Sequence, residues 1–210
     1  MPDFHAQASD IVSTKAAPIS KAGVKGNPLA GKEKLDEERC LECHDENGHD
    51  SSQGAVNKFA TLSGQLEAYI VKQVHDFRDG KRQYDFMMMM AKNLSEQDLA
   101  DIASYFGQQN KMHGDGGGAN SQASNLFQFG DATRQIIACT QCHGADGRGR
   151  IDGKIIYPAI AGQQWSYLEQ QLRNWRSGER KNSANNVMGI SAKLLTDDEI
   201  TVLSHYIAGL

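Results

Sequence analysis

Long apolar runs are missing from this chain: none of its 210 residues belongs to a stretch of the roughly 18–20 apolar residues that cross a bilayer. Basic clusters are missing too. The formal net charge is -4, and no group of Lys and Arg is gathered to neutralise phosphates. Nucleic acid is thereby excluded as the main partner, and a basic protein surface is favoured. Strand-like alternation is scarce, so the fold is expected to be all-α. The first 30 residues hold no apolar core of a signal peptide, so an export signal is expected to have been removed or replaced. Cysteine is rare: there are 4, and all fall in two matching frames, CLECH from Cys40 to His44 and CTQCH from Cys139 to His143.

The length suits two domains of about 100 residues each, and self-comparison finds them. SGQLEAYIVKQVHDFRDGKR (Ser63 to Arg82) lies over AGQQWSYLEQQLRNWRSGER (Ala161 to Arg180). The shared frame is GQ, then Tyr, Gln, an aromatic followed by Arg, then Gly and Arg. MMMMAKNLSEQDLADIASYF (Met87 to Phe106) lies over MGISAKLLTDDEITVLSHYI (Met188 to Ile207), and AGK at Ala30 lies over FGD at Phe129. The offset stays near 100 residues throughout, which marks a tandem repeat. Leu66, Tyr69, Ile70, Gln73, Val74 and Phe77 trace a helical stripe ended by Gly80. Leu168, Leu172 and Trp175 repeat it ahead of Gly178. Ser95 with Asp98, and Thr196 with Glu199, predict capped starts for the last helix of each unit. The expected organisation is an extended arm over 1–29, one domain over 30–106, a Gly/Ser/Asn-rich linker over 107–126 and a second domain over 127–210.

Three chemistries use CxxC. A disulfide leaves the following His idle, and one four-thiolate zinc site has to join pairs about 100 residues apart. Covalent haem uses every residue of the frame: two thiols add to the two vinyl groups, and the adjacent His reaches the iron. Two such frames at matching places in a repeat predict two covalently bound haem c groups. The repeat also nominates the ligand of each far face. Met188 is the one Met after the second motif and aligns with Met87, with Met88, Met89 and Met90 as competitors for the first haem. His75 and His205 read as ordinary helix residues, and His49 is too near His44 in sequence to reach the other haem face. Trp165, Trp175, Phe77, Tyr69 and Tyr167 read as haem-pocket and inter-helix packing.

The two CxxCH frames, PxxAGQ at Pro158 to Gln163, YxxxQL at Tyr167 to Leu172, the Met before KLLTDDEI and the closing YIAGL together resemble the cytochrome c4 family over residues 30–210. The resemblance implies two class I cytochrome c domains about a pseudo-twofold axis in one periplasmic chain. It implies haem attachment at Cys40, Cys43, Cys139 and Cys142, with axial pairs His44/Met87 and His143/Met188. The implied role is electron transfer between redox proteins, typically a quinol-oxidising complex and a terminal oxidase or reductase, without a small-molecule substrate. Irons with both axial positions filled disfavour catalysis. A haem subunit of a complex, of the flavoprotein sulfide dehydrogenase type, is the alternative, and catalysis at the first haem requires that Met87 not bind. One departure stands out: Ala60 occupies the place of the family's proline, whose carbonyl receives the proximal His.

Overall fold

The computed structural model describes residues 24–44 and 59–210. Among the described residues the first half has four α-helices: α1 (Pro28–Glu37), α2 (Glu67–Arg78), α3 (Asp85–Asn93) and α4 (Glu96–Gln108). The second half repeats them as α5 (Ser121–Phe129), α7 (Trp165–Ser177), α8 (Val187–Lys193) and α9 (Asp197–Ala208), with the short α6 (Thr140–His143) added at the second CxxCH. α1 packs on α4 and α5 on α9, while α2 and α7 each pack on the two helices that follow them. Leu35, Ile70, Ile102 and Phe106 centre the first core, beside a smaller cluster around Phe77 and Leu99. Phe127, Leu168, Ile200 and Leu203 centre the second. Each cluster stays within one half, as two domains require.

Local chemistry fixes the helix ends. The Ser95 side chain accepts from Asp98 N and Thr196 from Glu199 N, and the reciprocal bonds close both predicted capping boxes. Gly178 ends α7 with φ at 82°. Residues 1–23 of the expected arm lie outside the described residues, and its last two belong to a helix: Asn27 caps α1, Pro28 opens it, and Asn27 N donates to Asp101 at 2.7 Å. The expected linker is shortened at both ends. α4 runs through Gln108, and Asn120 caps α5 by accepting from Ala123 N. What remains is packed against α9 and the residues after it, with Gly118 against the His205 backbone, Gly114 N on Leu210 O at 2.7 Å and Met112 buried. The aligned methionines also sit on helices of their own, α3 and α8. A hairpin went unforeseen: β1 (Arg150–Asp152) pairs antiparallel with β2 (Ile155–Tyr157) around Gly153.

Glu199 ties the α9 cap to the strand-like loop at its side. Arg134 donates to both Glu199 oxygens, at 3.1 and 2.5 Å, and to Asp131 Oδ2 at 2.7 Å. The Arg134 guanidinium, more than burial opposes it, holds the Glu199 carboxyl below its ordinary 4.5. A folded value below the unfolded one means that the pair's stabilisation is full above 4.5 and is lost as pH falls through the depressed value. Glu199→Gln is expected to lower the melting temperature at neutral pH and to flatten the acid limb, as thermal unfolding against pH will read.

Candidate functional site

Both CxxCH segments fold into one tight turn. Cys43 N and His44 N donate to Cys40 O at 3.2 and 2.9 Å, and Cys142 N and His143 N donate to Cys139 O at the same two distances. His44 Nδ1 lies 2.8 Å from Ala60 O, and His143 Nδ1 lies 2.9 Å from Pro158 O. A carbonyl can only accept, so Nδ1 carries the proton in both rings and Nε2 keeps its lone pair. Burial lowers both histidine pKa values, the carbonyl bonds opposing it only in part, so both rings are neutral. The carbonyl acceptor expected from a proline in the first half is therefore supplied by Ala60. Burial likewise pushes the Cys40 and Cys139 thiols up to about 11.

One cavity of about 1890 Å³ runs between the halves, well beyond the ~300–1,000 Å³ of ordinary ligand sites. His44, Met87, Cys139, Cys142, His143 and Met188 all line it. Cys40 and Cys43 are not among its described lining residues; Cys40 packs against the first core. Of the four consecutive methionines Met87 lines the cavity, Met88 packs against the smaller first-half cluster and Met89 is exposed. Among the described residues no three His, Cys, Asp or Glu side chains converge to hold a metal ion, which leaves the zinc reading without a ligand set.

A polar hub closes the cavity where the halves meet, and its residues are those of the shared repeat frame. Arg82 donates to Gln73 Oε1 at 2.8 Å, Tyr167 Oη at 3.0 Å and Gln171 Oε1 at 3.0 Å. Arg180 mirrors it, donating to Gln171 Oε1 at 2.8 Å and to Tyr69 Oη and Gln73 Oε1 at 3.0 Å. Burial pushes the Tyr167 phenol up, but the Arg82 and Arg180 guanidiniums overcome it and hold the phenol below its usual range. The side-chain hydrogen-bond acceptors of the two guanidiniums among the described residues are neutral, and the Asp76 carboxylate acts on Arg82 from beyond them. Two like charges in a buried site call for anions, and the buried Asp76 supplies one beside Arg82. Haem fits this site, since its carboxylates would meet the two guanidiniums while its ring would meet the apolar part of the wall. Tyr69, Tyr167, Phe77 and Trp175 line the cavity as expected. Trp165 does not: it is 39% exposed and stacks on His205 at 4.5 Å. His75 lies 3.1 Å from Glu96, and His49 falls outside the described residues. Sequence reading missed the roles of Gln65, Gln163, Arg82 and Arg180, although all four stand in the repeated frame.

Comparison with known proteins agrees with this geometry. The cytochrome c family model matches residues 29–110 and again 129–210. Cytochrome c4 of Pseudomonas aeruginosa is 38% identical, over 90% of this chain and 91% of its own length. A protein of Stutzerimonas stutzeri described as a thiosulfate dehydrogenase electron acceptor is 33% identical, over 81% of this chain and 78% of its own. The crystal structure of reduced cytochrome c4 from Pseudomonas stutzeri superposes with a TM-score of 0.77 at 32% identity, covering 88% of this chain and 99% of the other. The chain belongs to the cytochrome c4 family, and is a two-domain electron-transfer cytochrome that carries two covalently bound haem c groups.

Proposed function

We propose that this protein is a periplasmic shuttle that takes electrons one at a time from a respiratory donor complex and delivers them to a terminal oxidase or reductase. Cys40, Cys43, Cys139 and Cys142 attach the haems, His44 and His143 supply the near ligands, and Met87 and Met188 supply the far ones. Bound haem contributes a one-electron couple. The chain does the rest. The carbonyls of Ala60 and Pro158 hold the two imidazoles in one tautomer and orientation, so each Nε2 is a fixed donor. The neutral thioether sulfurs favour the reduced state, as does the burial around them. Arg82 and Arg180 line the cavity and would pair with the haem carboxylates. The observation that carries this reading is the shared cavity, lined by one neutral histidine and one aligned methionine from each half.

A methionine series tests the ligand set. Met87→Ala and Met188→Ala are each expected to remove about half of the weak sulfur-to-iron absorption band of the oxidised protein. Met88→Ala should leave the band whole; its loss there would sink the assignment. The relative that accepts electrons from thiosulfate dehydrogenase favours a second reading, a dedicated acceptor bound to one oxidoreductase. Solution mass in native extract separates the two. A shuttle runs at the mass of the free chain, and stoichiometric co-purification with an enzyme overturns the shuttle.

A further inference from the structure

Each peptide that receives a histidine hydrogen bond is gripped at its other end by the opposite half of the molecule. The Ala60–Thr61 peptide accepts from His44 on its oxygen at 2.8 Å. Its N–H, on Thr61, donates to Gln163 Oε1 at 2.8 Å, and Gln163 Nε2 returns a bond to Thr61 O at 2.9 Å. The mirror image holds. The Pro158–Ala159 peptide accepts from His143 at 2.9 Å, its N–H donates to Gln65 Oε1 at 2.9 Å, and Gln65 Nε2 donates to Ala159 O at 2.9 Å. Gln65, Gln163, Thr61 and Ala159 are all within 4–6% of full burial. The preceding glycines aim these carboxamides: Gly64 and Gly162 have φ of 67° and 73°, and a Cβ on either meets backbone of residue 111 or 113 at 2.4 Å. Gly64 N and Gly162 N anchor the turns on Phe106 O and Ile207 O.

We infer that Gln163 and Gln65 are crossed positioning residues, each tuning the haem of the other half: Gln163 acts on His44 through the Ala60–Thr61 peptide, and Gln65 acts on His143 through the Pro158–Ala159 peptide. The inference rests on the proposal that His44 and His143 are the near ligands. A peptide whose N–H is hydrogen-bonded has a more polarised carbonyl, and in a low-dielectric site the two bonds strengthen one another. A stronger acceptor on Nδ1–H makes the imidazole a more basic ligand, which favours ferric iron and lowers the potential. Taking away the glutamine oxygen reverses this and raises the potential of the haem across the interface. The two arms differ in size. Pro158 fixes its own φ and so helps to hold its peptide, whereas Ala60 has no such constraint. The first haem therefore depends more on Gln163 than the second does on Gln65.

The test uses the full holoprotein, titrating each haem through its own paramagnetically shifted NMR signals. Gln163→Met is expected to raise the potential of the first haem and to speed amide exchange at Thr61. Gln65→Met is expected to raise that of the second haem by less and to speed exchange at Ala159. Shifts that land on the haem of the mutated half, or equally on both, overturn the inference. If Gln163→Met fails to load haem, Gln163→Glu keeps the accepting oxygen and adds charge. It should then lower the first haem relative to the second, and equal lowering overturns the crossing. Failure of the ligand assignment reads differently, because His44→Gln would then leave the low-spin spectrum of the first haem intact.

Discussion

Phe127→Ala is expected to cost about 3–5 kcal/mol and to split thermal unfolding into two transitions. Phe127 is 1% exposed and joins α5 to α9, with Tyr206 at 5.6 Å from its ring. Its ring tip also supports the loop at Gly147, whose carbonyl accepts from Ile160 N and Ala161 N and whose neighbour Gly149 N donates to His143 O. Losing the ring therefore opens a cavity and loosens the histidine loop together. The core it leaves contains no residue of the first half. For a unit of this size a loss of 1 kcal/mol moves the midpoint by roughly 4–8 °C, so the second half should melt at least about 12 °C earlier. The first half should stay folded to near its original temperature. Phe106→Ala, at 0% exposure in the first core, should give the reverse order. Calorimetry with haem absorbance reads both. A single transition displaced by only a few degrees would mean that the halves unfold as one body.

How much of this was legible beforehand follows the kind of signal each feature leaves. The two haem c groups were legible because covalent attachment demands thiols at one spacing and a histidine beside them, whatever surrounds them. α2 and α7 were legible because one face of each is buried, and the capping boxes because they are read within four residues. α5 was hidden by its setting: Asn120, Ser121 and Ser124 resemble a linker until Leu126 and Phe127 are seen to fill a core. The hairpin did leave a signal, the loop Gly153-Lys154 between isoleucine-bearing strands, which a search for tight turns would have found. Trp165 does pack between helices, against His205 of α9, but away from the cavity, because aromatic type alone does not say which face of a helix it occupies. The interface is the instructive case. In a twofold-like contact each residue meets the counterpart of its own partner, so both copies must keep the same side chains. Gln65 with Gln163, Tyr69 with Tyr167, Gln73 with Gln171 and Arg82 with Arg180 are the identities by which the repeat was recognised. The tyrosines, Gln73, Gln171 and the arginines bond one another across the contact, whereas Gln65 and Gln163 each grip a backbone peptide of the other half.

Arg180→Leu carries the other large expected effect, and it separates charge from geometry. Arg180 is 6% exposed, stacks over Trp175 at 4.5 Å and bonds Gln171, Tyr69, Gln73 and Asn182. Removing a buried, fully bonded charge of this kind costs about 2–5 kcal/mol, much of it from the acceptors left behind. A second consequence is electrostatic. A guanidinium beside the cavity opposes the extra positive charge of ferric iron, so its loss should lower both potentials, not that of the second haem alone. Arg82→Leu should do the same, because the two guanidiniums share Gln73 and Gln171. Arg180→Lys divides the two consequences. It keeps the charge but loses the planar fork, so the potentials should return close to their original values while the melting temperature stays depressed. If lysine restored stability and left the potentials low, the arginines would act on the haems through shape and not through charge.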